Sequence, residues 1–468
     1  MLSWFSNTLF NHINYKNIWN FKLQFASALL LVVMSCNPIS KPKSIDKPLN
    51  VILIMADDLG FETIGAYGGS SYQTPEIDRM ASNGMRFDHC YAQPLCTPSR
   101  VKLMTGIYNV RNYVRFGLLD TTQTTFGHLF RNAGYATCIV GKWQLGENPK
   151  SPHHAGFDKH CLWQVAGGRV DSARRDTRYS MPFLVVDGIL KTYADTDYGP
   201  EIVSDYGLDF IEKSHQEGKP FLLYYPMILT HCPFSPTPDS PEWIKDDTAV
   251  MTYKGQAHYF YDMVGEMDKI VGKINRKLEE LGIQNNTIVL FTGDNGTDKP
   301  IVSVVNGREV AGAKKQSTDA GTRVPLIVQW PGVVKANSVE NSLIDFSDFF
   351  PTICDAANIE LSDTLDLDGQ SFAPLLQGDR KQPREWIYSW FSRSGEVSEA
   401  RVFARNHRYK LYESGEFYDI PNDYEEQHPL NIEKLDSEAK KVHHDLSRVI
   451  ESYRNRRLDK VKYIESVP

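Results

Sequence analysis

A large mixed α/β domain, its sheet mostly parallel and sandwiched by helices, followed by a small antiparallel sheet carrying one helix, is the architecture this sequence predicts. Three observations carry it. Apolar runs rich in Val, Ile and Leu, such as residues 49–56 and 287–292, alternate with helical segments, as in a sheet buried on both faces. Several of these runs end in a polar cluster, the edge where open α/β sheets keep their ligands. Near Pro383 the pattern shortens into four brief strands joined by turns, then one amphipathic helix.

The length of 468 residues allows a large domain with a smaller one, and 41% hydrophobic with 23% charged residues is ordinary for a packed core. The net charge is −7 and no basic stripe stands out, which argues against a nucleic-acid partner. A polyanionic ligand must therefore be held by a local cluster of cations. The seven cysteines are odd in number and fit no zinc spacing. Cys138, Cys161, Cys232 and Cys354 read as scattered small hydrophobes, and no disulfide is expected.

The N-terminus reads as a targeting segment. Lys16 and Lys22 precede an apolar run over residues 25–34, too short for a comfortable membrane span. Val33-Met34-Ser35-Cys36 resembles a bacterial lipobox; a plain secretory signal is the alternative. The expected organisation is a signal peptide over 1–35, a lipidated Cys36 and linker over 36–47, a catalytic domain over 48–382 and a C-terminal α/β subdomain over 383–468. The expected location is the bacterial periplasm or outer membrane, with a lipid anchor at Cys36.

Residues 49–58 form a central strand ending in the acids Asp57 and Asp58. A short helix over 74–84 and a strand over 86–92 lead to Leu95-Cys96-Thr97-Pro98-Ser99-Arg100. That stretch reads as a helix start, with Thr97 as N-cap and Pro98 at the first helical position. Cys96 then sits at the positive end of the helix dipole, and Arg100 lies about one turn further in. A helix over 125–133 precedes a strand over 135–140, followed by Gly141-Lys142-Trp143-Gln144. Residues 149–200 read as an irregular excursion of the kind that carries function. A helix over 201–217 and a strand over 220–227 lead to Thr230-His231-Cys232-Pro233. A helix over 253–281 precedes a strand over 287–292 that ends in Gly293-Asp294-Asn295-Gly296. Lys314 lies on the loop before the strand over 323–330, and a helix spans 345–357. Strands over 386–391, 401–405, 409–412 and 416–420, then a helix over 436–453, complete the chain.

Together the strand ends gather Asp57, Asp58, Cys96 with Arg100, Lys142, His231, and Asp294 with Asn295 on one edge. Adjacent carboxylates repel, and a shared hard cation cancels that repulsion; the oxygen donors suit Ca²⁺ or Mg²⁺, not zinc.

Cys96-Thr97-Pro98-Ser99-Arg100 resembles the C-x-P-x-R signature of formylglycine sulfatases. Ala56-Asp57-Asp58, Gly141-Lys142-Trp143, Thr230-His231-Cys232-Pro233, Gly293-Asp294-Asn295-Gly296 and Gly321-Thr322-Arg323-Val324-Pro325 stand in that family's order across nearly the whole exported chain. The resemblance implies an alkaline-phosphatase-like fold and hydrolysis of a carbohydrate sulfate ester, from a polysaccharide or its oligosaccharides, algal ones included. It implies that a formylglycine-generating enzyme converts Cys96 to formylglycine, whose hydrate is nucleophile and metal ligand. Asp57, Asp58, Asp294 and Asn295 would complete a Ca²⁺ site, preferred over Mg²⁺. Arg100 would steady the diol, Lys142 and Lys314 would bind sulfate oxygens, and His231 would serve the leaving oxygen. Two positions depart from the family. Gln144 stands where histidine is usual, and glutamine cannot take a proton at neutral pH. Asp319-Ala320-Gly321 replaces Glu-Gly-Gly, and alignment through Asp319 selects Lys314 over Lys315. The competing readings are a phosphodiesterase or phosphonate hydrolase of the same superfamily and an inert lipoprotein that binds sulfated glycans. The arginines at 169, 174, 175 and 178 read as a solvated loop or a polyanion subsite, and His153 and His154 as surface residues.

Overall fold

The computed structural model describes residues 47–165, 169–172, 174–243, 254–379 and 383–457. The signal segment, Cys36, the linker as far as Asp46 and residues 380–382 before the expected boundary lie outside the described residues. In chain order the elements used below are β1 (Asn50–Ala56), α1 (Pro75–Ser82), β2 (Met85–Tyr91), α2 (Cys96–Thr105), α3 (Phe126–Asn132) and β3 (Ala136–Lys142). They continue with β4 (Lys159–Trp163), β5 (Phe183–Val186), β6 (Ile189–Thr192), α4 (Gly199–Gln216), β7 (Phe221–Pro226), α5 (Phe260–Glu280) and β8 (Thr287–Gly293). Then come β9 (Val302–Val305), β10 (Arg308–Ala311), β11 (Arg323–Gln329), β12 (Ser338–Asp345) and α6 (Phe349–Ala356). The chain closes with β13 (Ile387–Phe391), β14 (Arg401–Arg405), β15 (Tyr409–Tyr412), β16 (Phe417–Asp419) and α7 (Ser437–Arg454).

Ten strands form one sheet in the order β12-β2-β11-β8-β1-β7-β3-β4-β5-β6. The run β8-β1-β7-β3-β4 is parallel throughout. β11 runs antiparallel between β8 and β2, and β12 lies parallel to β2 at the edge. β1 shows why the centre is so apolar. Val51, Leu53 and Met55 join one core, with Leu103 and Phe350, while Ile52, Ile54 and Ala56 join the other, with Met80 of α1 and Met267 of α5. Each aliphatic side chain buried this way contributes roughly 1.5–3 kcal/mol.

Three expectations need correction. The excursion over 149–200 is not irregular: it holds β4, β5 and β6. β5 and β6 make an antiparallel hairpin turned by Asp187 and Gly188, both at positive φ (47° and 86°). Asp-Gly between short strands is a turn signal, but the exposed β6 lacks the apolar run that marks the inner strands. The helix expected from 345 is strand β12 up to Asp345, whose side chain caps a short 3-10 turn before α6 begins at Phe349. The helix expected from 253 begins at Phe260 after a 3-10 turn over Ala257–Tyr259.

The C-terminal strands form a second sheet, β13-β14-β15-β16, on which α7 buries Leu446 and Ile450. These residues share one continuous core with Val51 and Leu53 of the large sheet. Lys102 of α2 ties the two parts: its Nζ pairs with Asp345 Oδ2 at 2.7 Å within the large domain and donates to Tyr388 O of β13 at 3.2 Å. The six described cysteines, Cys90, Cys96, Cys138, Cys161, Cys232 and Cys354, are buried and free. Among the described residues no helix is long and apolar enough to cross a membrane.

Lys102→Met leaves the Asp345 carboxylate buried without its counter-charge. Urea denaturation should show a loss of about 3–5 kcal/mol, partly restored in Lys102→Met/Asp345→Asn. A loss below about 1 kcal/mol, as for an exposed pair, would show that the bridge is incidental.

Candidate active site

The register of β1 with β8 pairs Ala56 with Gly293. The residues that follow, Asp57 and Asp58 on one strand and Asp294 and Asn295 on the other, therefore leave the sheet side by side. Asp58 has φ 63°, a left-handed conformation that aspartate tolerates, and its N–H donates to Asp294 Oδ1 at 3.0 Å. Gly296 follows because a Cβ there would lie 1.8 Å from Ala320 O. Near the end of β3, Gly141 has φ 106° and is pressed against Pro226 O, and the last strand residue, Lys142, reaches the same edge.

β2 leads to α2, which begins at Cys96 with the extended Leu95 before it. Thr97 is thus not the N-cap and Pro98 is not the first helical residue. Both sit within the first turn, where proline's missing N–H costs nothing, and Thr97 Oγ1 instead accepts from Gly117 N at 3.2 Å. Cys96 is 1% exposed and its Sγ lies 3.4 Å from Gln144 Oε1. Arg100, fully buried, donates Nη2 to Lys142 O at 2.8 Å; its Nε and Nη1 make no hydrogen bond.

Cations line the acids. Lys142 Nζ lies 2.7 Å from Asp57 Oδ2. Lys314 Nζ pairs with Asp58 Oδ2 and lies 2.9 Å from His231 Nε2, whereas Lys315 is exposed at φ 73°. His231 Nδ1 lies 2.6 Å from Cys232 O and 2.7 Å from Arg178 Nη1. Burial, then the charges of Lys314, Arg178 and Lys142, pushes His231 well below the ordinary imidazole range, so it is neutral. Burial raises Asp58 and Asp294, and repulsion from Asp57 adds to both; Lys314 opposes the rise at Asp58 and Lys142 the rise at Asp294. Burial also raises the Cys96 thiol, which makes it a poor thiolate nucleophile.

Of the four loop arginines, Arg178 alone reaches the site. Its guanidinium is buried 4.3 Å over the Trp163 ring and held by Asp176 Oδ1 at 3.0 Å. Arg175 pairs with Asp171 at 2.7 Å and Arg169 lies 3.6 Å from Asp176. No spacing in the sequence marks Arg178; its place depends on Trp163 at the end of β4. Also outside the sequence reading is the buried Glu62, which accepts from Thr297 Oγ1 at 2.5 Å. His153 is exposed and His154 half-buried.

The donor set suits a hard divalent cation. Asp57 Oδ1 and Asn295 Oδ1 are buried without a hydrogen-bond partner. Ligand atoms of Asp57, Cys96 and Asp294 lie within 4.8 Å of one another, as do those of Asp57, Asp58 and His231. Carboxylates with an amide oxygen fit Ca²⁺ or Mg²⁺.

Comparison with known proteins matches this arrangement. A family model described as sulfatase covers residues 49–359, and one described as N-sulphoglucosamine sulphohydrolase, C-terminal, covers residues 313–456. Arylsulfatase G of Mus musculus is 29% identical over 411 residues, 78% of this chain and 76% of that protein. N-acetylgalactosamine-6-sulfatase of Rattus norvegicus is 31% identical over 382 residues, 75% and 70% of the two chains. The crystal structure of Ps i-CgsB in complex with k-i-k-neocarrahexaose superposes with TM-score 0.72 at 23% identity, covering 90% of this chain and 95% of that one. With these matches laid over the carboxylate, cysteine and lysine edge, the chain belongs to the sulfatase family of the alkaline phosphatase superfamily and is a sulfuric ester hydrolase.

Proposed function

We propose that this enzyme removes sulfate from a sulfated carbohydrate, using a formylglycine made from Cys96 and a Ca²⁺ ion, preferred over Mg²⁺, held by Asp57, Asp58, residue 96, Asp294 and Asn295. The observation that carries the reading is the convergence of Cys96, three carboxylates and two buried lysines at one sheet edge. A carbohydrate substrate is supported by the N-acetylgalactosamine-6-sulfatase among the relatives and by the k-i-k-neocarrahexaose bound in a structure of similar fold. A formylglycine-generating enzyme is the expected maturation partner, through the Cys96-Thr97-Pro98-Ser99-Arg100 motif. The lipobox-like Val33-Met34-Ser35-Cys36 supports export to a bacterial envelope with an anchor at Cys36.

When in place, the hydrated aldehyde supplies an oxygen nucleophile and the cation withdraws charge from the sulfate oxygens. The chain's own residues do the rest. Each lysine ammonium has three donors, so Lys142 and Lys314 can keep Asp57 and Asp58 and still donate to sulfate. Preset donors in a dry site cost no reorganisation as charge builds up. Arg100, anchored on Lys142 O, has two nitrogens left to steady the group at position 96. An anionic ester offsets the positive charges around His231, raises its proton affinity and fits it to serve the leaving oxygen. Gln144 stands beside residue 96 and can hydrogen-bond an oxygen there but cannot remove its proton.

Expressed with a maturation system, the Cys96 peptide should show loss of H₂S and gain of oxygen by mass spectrometry. Lys142→Ala and Lys314→Ala should each lower sulfate release by about 10²–10³-fold. Converted Cys96 without release from any aryl or sugar sulfate, or a strong preference for an aryl phosphodiester, would overturn the reading.

Metal binding should also show in stability. Asp58 and Asp294 hold protons more tightly in the folded chain than in the unfolded one. Without a cation their contribution to stability is present below the ordinary value of 3.8 and is lost as pH rises through the raised values. Ca²⁺ replaces those protons, so the rise in Tm it causes should grow as pH climbs above 3.8, and Asp294→Asn should shrink it. A Ca²⁺ effect indifferent to both pH and Asp294 would refute this ligand set.

A further inference from the structure

A cationic cavity lies away from the catalytic edge. It measures about 540 Å³ and sits between the segment after β1, the outer parts of β2 and β11, the β9–β10 hairpin and the loop after β16. None of the active-site residues lines it.

Its charges do not cancel. Arg86 is paired with Asp88 at 2.9 Å, and Arg405 is paired with Asp319. Those two acids are thereby neutralised. Arg308 and Arg323 remain, and among the described residues neither has a carboxylate within ion-pair distance. The Arg308 guanidinium lies 4.0 Å over the Tyr424 ring, and that of Arg323 lies 4.1 Å over the Phe61 ring. Arg323 donates Nε to Asp88 O at 2.8 Å. An aromatic ring under a guanidinium covers its face and leaves its edge N–H groups for another acceptor. Tyr424 also lines the cavity, and its hydroxyl is buried with no hydrogen-bond partner. His89 adds no charge: burial, then Arg323, His407 and Arg405, brings it down to about 3.

We propose that this cavity is an accessory site for a sulfate group, held by Arg308, Arg323 and the Tyr424 hydroxyl. A guanidinium fork matches two oxygens of a tetrahedral oxyanion, and a monovalent sulfate ester satisfies a donor-only site without a bound proton. Two sources share that chemistry: a sulfate ester on a saccharide and free inorganic sulfate. The saccharide as source rests on the sulfatase reading above, whereas the sulfate chemistry of the cavity does not. A polysulfated chain gripped here would be retained between catalytic events, since two linked sites bind more tightly than either alone.

The test uses the full mature chain carrying Cys96→Ala, so that nothing turns over. Calorimetry at low salt measures a hexasaccharide of dextran sulfate, its unsulfated counterpart and sodium sulfate separately. The expected result is two classes of sulfated site, one of which is lost in Arg308→Gln/Arg323→Gln and weakened about ten-fold or more in Tyr424→Phe. Arg308 is exposed on a hairpin, so Arg308→Gln alone serves if the double variant fails to fold. With Cys96 intact, the same variants should hydrolyse a small aryl sulfate at the parent rate, which separates this site from the catalytic one. Loss of sodium sulfate binding in parallel identifies free sulfate as the occupant. Hexasaccharide and sodium sulfate binding both unchanged in the folded variants, or equal binding of the unsulfated sugar, would overturn the proposal.

Discussion

Three carboxylates held together out of water repel one another, and much of this molecule is arranged to make that tolerable. Asp57, Asp58 and Asp294 are close because β1 and β8 are adjacent, parallel and level at their ends. The opposing charges come from elsewhere in the sheet. Lys142 arrives from β3, two strands from β1 across β7, and Lys314 from the loop before β11. Strand order thus sets which cation meets which acid. The orphaned oxygens of Asp57 and Asn295 show that the lysines leave part of the demand unmet, as expected of a cation site.

The same edge explains the treatment of Cys96. At the start of α2 it has the helix dipole behind it and Arg100 one turn on. A thiolate would benefit from both, yet burial raises the thiol pKa, so cysteine chemistry is suppressed. Under the proposed function such a side chain is a precursor and not itself the nucleophile. His231 is governed by a similar balance: burial first, then the cations around it, hold it well below the ordinary imidazole range.

Legibility in the sequence followed burial. The inner strands, apolar on both faces, stood out because no other element needs so dense a run of Val, Ile and Leu. The outer hairpin did not, since β6 is exposed and β5 only half-buried at its ends. Its Asp187-Gly188 turn follows the apolar Phe183-Leu184-Val185-Val186, but the strand beyond it is short and exposed on both faces. Arg178 went unassigned for the same reason: without β4 there was no Trp163 to receive it.

Residue types and their order were enough to establish the α/β class, the edge where the chemistry gathers, and the set of acids, cations and cysteine found there, because each lies next to a strand with an unmistakable pattern. Pairing required three dimensions. Lys142 on Asp57, Lys314 on Asp58 and His231, Gln144 beside Cys96, and Arg178 behind His231 are contacts between segments far apart in the chain. Strand order, register and packing determine those distances, and no local pattern encodes them.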